Sequence, residues 1–415
     1  MAPRRGRKAA LVLAAVCPAL LAAIRLLADE PARSWIDPDT GHRVVRLSDE
    51  PGSASLYFHQ NAYTPDGRRM AYTAPSGIAV LDLTTRASKP LVSAPARIVM
   101  VGHSTASVYY LKDGSVFAAD IDSGAAREIG KLPPRGSIAT VNADETLLAG
   151  TYLEGEGLEG ASPRSPQLQT LEQPRNKEQM MEERLAAHRP MALFTMDTRT
   201  GALRTILRST DWLNHLQFSP SDPSLLMLCH EGPWHKVDRI WTIRADGSQL
   251  TRIHERTMKM EIAGHELWGA DGRTIWYDLQ TPRGEVFWLA GRDVTTGEQT
   301  RYHLERDAWS IHFNVSRDGK LFCGDGGDEG QVARAKDGRW IYLFRPERLE
   351  NRGGDDKGWI NPGVLHAERL VNMAKHDYRL EPNVTFTPDA KWVVFRSNML
   401  GPTHVLAVEV ARANR

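Results

Sequence analysis

The feature that most constrains this chain is a recurring pair of short apolar strands joined by a turn carrying Asp-Gly or a close relative. It occurs as Ala62-Tyr-Thr-Pro-Asp-Gly67 before Arg68-Arg-Met-Ala-Tyr72, and as Tyr110-Leu-Lys-Asp-Gly114 before Ser115-Val-Phe-Ala-Ala119. Glycine in such a turn supplies positive φ without a Cβ clash, so Asp-Gly between apolar runs is a strong hairpin signal. The turn aspartates Asp66, Asp113, Asp144, Asp222, Asp271, Asp318 and Asp389 mark seven units. Several units continue into a second hairpin that starts at Asp82, Asp120, Asp197 or Asp293. Two hairpins make a four-stranded antiparallel blade. Seven blades of about 54 residues each predict an all-β, seven-bladed β-propeller. Closure is expected between Arg43–Leu47 and the last strand, Val405–Val410. A length of 415 residues would otherwise suggest two or three domains; the repeat instead predicts one, from residue 30 to 415.

The rest of the composition narrows the setting. Fifty-two Lys+Arg against 51 Asp+Glu leave a net charge of +1, which excludes the basic footprint of a nucleic-acid binder. The chain opens with a basic segment through Lys8 and an apolar run from Ala9 to Ala23. That run is short for a membrane span, so residues 1–29 are expected to be an export signal, cleaved between Ala22 and Glu30, with an uncleaved anchor as the alternative. The mature domain is then expected outside the cytoplasm, in the periplasm, without a membrane of its own. Composition leaves the oligomeric state open. Beyond the leader only Cys229 and Cys323 remain, both in apolar strand-like runs, where buried thiols are expected rather than a disulfide or a metal pair.

The spacing of the turns is uneven. Asp144 to Asp222 spans 78 residues and Asp318 to Asp389 spans 71, against 31 to 49 elsewhere. The first excess holds residues 154–190, with a helix expected over Lys177–Ala187; the second holds Gly324–Gly330 and Asn351–Gly358. Long insertions in a propeller are loops on one face, where function is built. The polar residues that the repeat does not need stand just ahead of the turns: His59-Gln60-Asn61, His215, His265-Glu266, His312 with Asn314, and Glu381-Pro382-Asn383. Their convergence on one axis would suit either a divalent cation or an acidic ligand. No His-Glu-x-x-His and no Cys pair occurs, so Mn²⁺, Ca²⁺ or Mg²⁺ is expected rather than structural zinc. The loop Cys229–Arg239 gathers His230, Glu231, His235 and Arg239. Arg239 there either clamps a carboxylate or is tied to Asp238 or Glu231.

At these residues the sequence resembles the oligogalacturonate lyase family. The matching stretches are Cys229-His-Glu-Gly-Pro233 with Val237-Asp-Arg239 and Trp241, His265-Glu266 with Trp268, His312 with Gly324-Asp-Gly326, and Phe386-Thr-Pro388 before Phe395-Arg-Ser397. The resemblance runs from about Thr40 to Val410 and is strongest after Trp212. It implies Mn²⁺-assisted β-elimination at a uronate of an acidic oligosaccharide, with His265 as base, Arg239 offsetting the developing charge and His312 as a metal ligand. It also implies a substrate surface from His59, Gln60, Asn61, His215, His230, Glu231, His235, Asp325 and Arg396. The chain departs from the family where two ligand histidines flank a proline: here stand Glu381-Pro382-Asn383, and the family's glutamine falls at Tyr378. Glu381, Asn383 and nearby His376 are the expected substitutes, and oxygen donors shift preference toward Mn²⁺, Mg²⁺ or Ca²⁺. Two other classes fit the residues: a non-catalytic propeller resembling the TolB group, which binds a protein or glycan, and a glycoside hydrolase using two of Glu266, Glu381, Asp325 and Asp328.

Overall fold

In the computed structural model, residues 33–155, 177–350 and 358–413 are described. Residues Ser34–Arg415 form one compact unit. The expected leader, with its cleavage site, lies outside the described residues, as do 351–357 of the second insertion. Among the described residues no helix is long and apolar enough to cross a membrane.

The unit is built of antiparallel meanders, each turning back on itself through short loops, as in a β-propeller. Four-stranded sheets run Arg97–Val101 to Ala126–Lys131, Gly136–Val141 to Leu203–Ser209 and Trp212–Phe218 to Thr251–Arg252. A three-stranded sheet, Arg69–Ala74 to Ser88–Ser93, is completed by isolated bridges at Ala54 and Tyr63. First strands of successive meanders lie against one another, as with Gly136–Val141 between Arg97–Val101 and Trp212–Phe218. Each strand is apolar on the faces that meet its neighbours, and clusters such as Val45, Met70, Leu81 and Ile98 fill the space between sheets.

Strand pairing gives six sheets in place of seven separate blades. One of them contains eight strands: a meander from Ile262–Trp268 to Gln299–Leu304, and a second from Phe313–Val315 to Asn361–Asn372. They fuse because the second insertion extends Trp340–Arg348 and Asn361–Asn372 into a long hairpin, and the first residues of its second strand, Asn361–Val364, pair in parallel with Thr300–His303. Closure follows the expected pairing, in a register that puts Val44 opposite Val408 and Arg46 opposite Leu406.

The recurring aspartate has a definite task. Thr64 Oγ1 and the Arg68 N–H both donate to Asp66 Oδ1, and the same arrangement holds at Ser316–Asp318–Lys320 and Thr387–Asp389–Lys391. The carboxylate thus ties both arms of the turn together. Asp113-Gly114 is different in kind. With φ of 50° and 77° it joins the second and third strands of its meander, Lys112 facing Ser115, and accounts for the irregular 31-residue spacing. The equivalent turn of that meander, at residues 102–106, is held by Glu145 of the next one, which accepts from the Ser104 and Thr105 amides and the Tyr109 hydroxyl.

Candidate active site

Two strands aim their histidines by the same device. In Ile262–Trp268, Gly264 faces Asp278 and Leu267 faces Trp276, so His265 and Glu266 together oppose one residue. In Trp212–Phe218, Asn214 faces Cys229 and Gln217 faces Met227, which leaves His215 and Leu216 as the extra pair. A bulge of this kind bends the strand and re-aims a side chain. Both histidines carry left-handed backbone, φ 46° at His215 and 50° at His265. That conformation is uncommon for a residue with a Cβ, though tolerated by His, and such strain gathers at functional sites.

The bulges bring the rings onto a common axis. His265 and His312 stand with ring centroids 5.0 Å apart. Phe58 stacks on His312 at 4.6 Å, and Tyr57 reaches His59, His215 and His312 at 5.0, 5.8 and 5.2 Å. His265 Nδ1 lies 3.0 Å from Asp278 Oδ1. A carboxylate only accepts, so Nδ1 carries a proton, and in the neutral ring Nε2 keeps its lone pair. His312 is held likewise, with Nδ1 2.8 Å from Asp325 Oδ2 and its amide donating to Asp325 Oδ1. Its Nε2 then faces Glu381 at 3.8 Å. Burial pushes the Glu381 carboxyl up, but His312, Lys177, His265 and Arg396 outweigh it and hold the group below its ordinary value.

Arg239 is tied to carboxylates, one of the two alternatives its loop allowed. It is 3% exposed, donates to Glu231 through both terminal nitrogens at 2.6 and 3.4 Å, and donates to Glu266 through Nε at 3.3 Å. Burial alone would lower its pKa, but Cys229, Glu231 and Glu266 raise it well above the ordinary value. His215 Nε2 adds a further contact to Glu231 at 3.2 Å. Burial raises the Glu231 pKa, yet Arg239 and His215 hold it well below the usual carboxylate range. Gly264 lets this cluster close: a Cβ there would stand 3.3 Å from Asp278 Oδ1 and 3.8 Å from Arg239 Nε. Arg396, in contrast, spends only Nε, on the Glu381 carbonyl at 2.8 Å.

Several expected site residues belong to the scaffold instead. Gln60 bonds the Tyr57 amide and the Val99 carbonyl, and Asn61 bonds the backbone of Tyr63 and Val101, so these side chains hold the axial segment in place. Asn383 is fully buried; its carbonyl oxygen accepts from the Phe58 amide and its amide donates to the Glu381 carbonyl, which takes it out of the metal set. His376 is out as well. Ser397 and the Leu380 carbonyl occupy both ring nitrogens, and burial lowers its pKa to about 4. Asp325 is fully buried under His312 and acts on that ring rather than on a ligand. His230 stacks on Trp241 at 4.9 Å beside Asp211. His235 lies in the loop whose carbonyls bind Arg256. His59, whose pKa burial and its neighbours His215 and His312 push well below the ordinary value, also borders a cavity of about 170 Å³ at the turn end of the axis, with His103 and Arg317. That cavity does not include His265 or Glu381.

Among the described residues no three His, Cys, Asp or Glu side chains are spaced to hold a metal ion. The donors that converge are His312 Nε2 and the Glu381 carboxylate. Tyr57 and Asp278 were not legible as site residues; the one available signal was an acid inside the otherwise apolar strand Thr274–Gln280. Because Asp278 sets the His265 tautomer, Asp278→Asn is expected to cut turnover about 100-fold or more, with an unchanged melting temperature as the control.

Comparison with known proteins bears on the fold and the family. The family described as oligogalacturonate lyase matches residues 169–413. The oligogalacturonate lyase of Dickeya dadantii (strain 3937) is 25% identical over 390 residues, covering 89% of this chain and 93% of that protein. A solved oligogalacturonate lyase in complex with manganese superposes with a TM-score of 0.72 at 22% identity, covering 91% of this chain and 96% of the other. The oligogalacturonate lyase from Vibrio parahaemolyticus gives 0.73 at 21%, covering 92% and 97%. With the family matched over more than half its length and its bulged histidines facing one axis, this chain belongs to the oligogalacturonate lyase family.

Proposed function

We propose that this protein cleaves short oligogalacturonides by β-elimination at the axis of a seven-bladed propeller, the eight-stranded sheet counting as two blades. The observation that carries the reading is the His265–Asp278 pair, which leaves Nε2 open beside His312 and Glu381. The C5 proton of a uronate becomes acidic only when its carboxylate is neutralised. Arg396, whose terminal nitrogens have no protein partner among the described residues, would meet that carboxylate. His265 Nε2 takes the C5 proton, the electron pair forms the C4–C5 double bond, and the C4–O4 bond breaks with its pair on O4, which is protonated from solvent. Arg239, spent on two buried carboxylates, shapes the site by holding Glu231 and Glu266. Of the carboxylates a hydrolase would need, Glu266 is engaged by Arg239 and Asp325 by His312.

A divalent cation, Mn²⁺ first and Mg²⁺ or Ca²⁺ as alternatives, would be held by His312 Nε2 and Glu381 and would supply charge neutralisation at the uronate carboxylate. The two donors fit two corners of such a site. Weak binding follows. After EDTA treatment, rate restoration by MnCl₂ is expected to half-saturate on the order of 0.1–1 mM, the range of weakly built sites; stoichiometric metal surviving dialysis would contradict the two-donor site. The basic and apolar stretch at 1–29 supports export to the periplasm.

The direct test incubates the protein with oligogalacturonides and Mn²⁺ and follows the ultraviolet absorbance of the 4,5-unsaturated product. Absence of product across several uronides would sink the reading.

A further inference from the structure

The helix Lys177–Ala187 is the single α-helix among the described residues, and its cations lie within electrostatic reach of Glu381 and Glu231. Its acidic side chains are used to fasten it. Glu182 pairs with Lys236 at 2.8 Å and Glu178 with Arg283 at 3.3 Å, so it is pinned to the loop after Leu225–Glu231 and to the turn between Thr274–Gln280 and Phe287–Asp293. Met181, 3% exposed, is its buried contact. Its cations are not used in this way. Lys177 Nζ sits 5.1 Å from the Trp234 ring and the Arg184 guanidinium 3.7 Å from the Trp212 ring, and neither has an acidic partner within ion-pair distance among the described residues. An aromatic platform orients a cation while leaving its N–H groups free to bind an anion. Each cation also lies within electrostatic reach of a different side of the site, Lys177 of Glu381 and Arg184 of Glu231. About 10 Å of helix axis separates them.

We propose that Lys177 and Arg184 bind the carboxylates of the uronates flanking the one at His265, so that this helix selects oligouronides over a single uronate. The inference rests on the oligogalacturonide reading of the same site and names its specificity residues. A neutral glycan would gain nothing from two free cations on aromatic platforms, whereas a chain with a carboxylate on every sugar meets one at each end of the helix. The two cations are too far apart to share one sugar's carboxylate.

The test measures binding of saturated trigalacturonate and of galacturonic acid by calorimetry, with initial rates and melting temperatures, for wild type, Lys177→Gln, Lys177→Arg and Arg184→Gln. Expected is a roughly tenfold rise in trigalacturonate Kd for each charge-removing variant, read also as a rise in KM that exceeds any fall in kcat. Lys177→Arg should recover most of the affinity, and galacturonic acid binding should not move. Trigalacturonate affinity within twofold of wild type in both Gln variants overturns the proposal. So does an equal loss for monomer and trimer that Lys177→Arg fails to recover, which is the signature of a displaced helix. Should wild type bind trigalacturonate but form no unsaturated product, the lyase reading falls while the Kd comparison still decides the helix. Should wild type bind neither sugar, both fall.

Discussion

His265→Ala is expected to lower kcat by about 10²–10⁴-fold, the usual contribution of a positioned general base. The physical reason is specific to the fold. The strand bulge places His265 in left-handed backbone, Asp278 fixes its proton on Nδ1, and the ring stands 5.0 Å from His312. Alanine removes the imidazole whose Nε2 lone pair is proposed to take the C5 proton. The ring is only 18% exposed at its side chain and its loss leaves buried Asp278 without this partner, so the melting temperature is measured beside the rate to separate destabilisation from lost catalysis. The measurement is product absorbance against time for both proteins at matched concentration. Full activity in the variant would remove His265 from the reaction.

The second large effect is on stability. Arg239→Met should cost about 3–5 kcal/mol, the range for breaking a buried ion pair from one side, and lower Tm by roughly 4–6 °C. Arg239, Glu231 and Glu266 are 3%, 6% and 1% exposed, so methionine would fill the volume and strand two carboxylates in the interior. Neutralising one of them should relieve part of the penalty. The double variant Arg239→Met, Glu231→Gln is therefore expected to melt higher than Arg239→Met alone, read by thermal and urea unfolding. Lyase loss without any change in unfolding would show instead that Arg239 acts chiefly on the substrate.

The local parts of the fold were legible because their causes are local. Asp66, Asp318 and Asp389 hold their turns through residues two positions away, so the hairpins can be read along the chain. The insertion helix has the bounds expected from its sequence, Lys177–Ala187. Asp113-Gly114 misleads because an Asp-Gly turn reports a hairpin without saying which pair of strands it joins. The blade count meets the same limit: whether Gln299–Leu304 pairs with Asn361–Asn372 depends on where a long hairpin folds back.

For the site, residue type announced the chemistry but not its distribution. Asn383 and His376 have the atoms of metal ligands, yet partners from the Phe58 segment and from Ser397, distant in sequence, consume those atoms. Gln60 and Asn61 go to the backbone of the neighbouring meander at Val99 and Val101 for the same reason. Arg239, readable as a clamp or as an internal pair, becomes the latter once Glu266 arrives from another meander. What the amino-acid order determined by itself was the repeat of hairpins, the closing strand pair, the inserted helix and the set of His, Glu and Arg side chains near one axis. Only the tertiary structure decided which of these keep a free lone pair or a free charge, because deciding partners such as Phe58 for Asn383, Ser397 for His376 and Glu266 for Arg239 come from other segments of the chain.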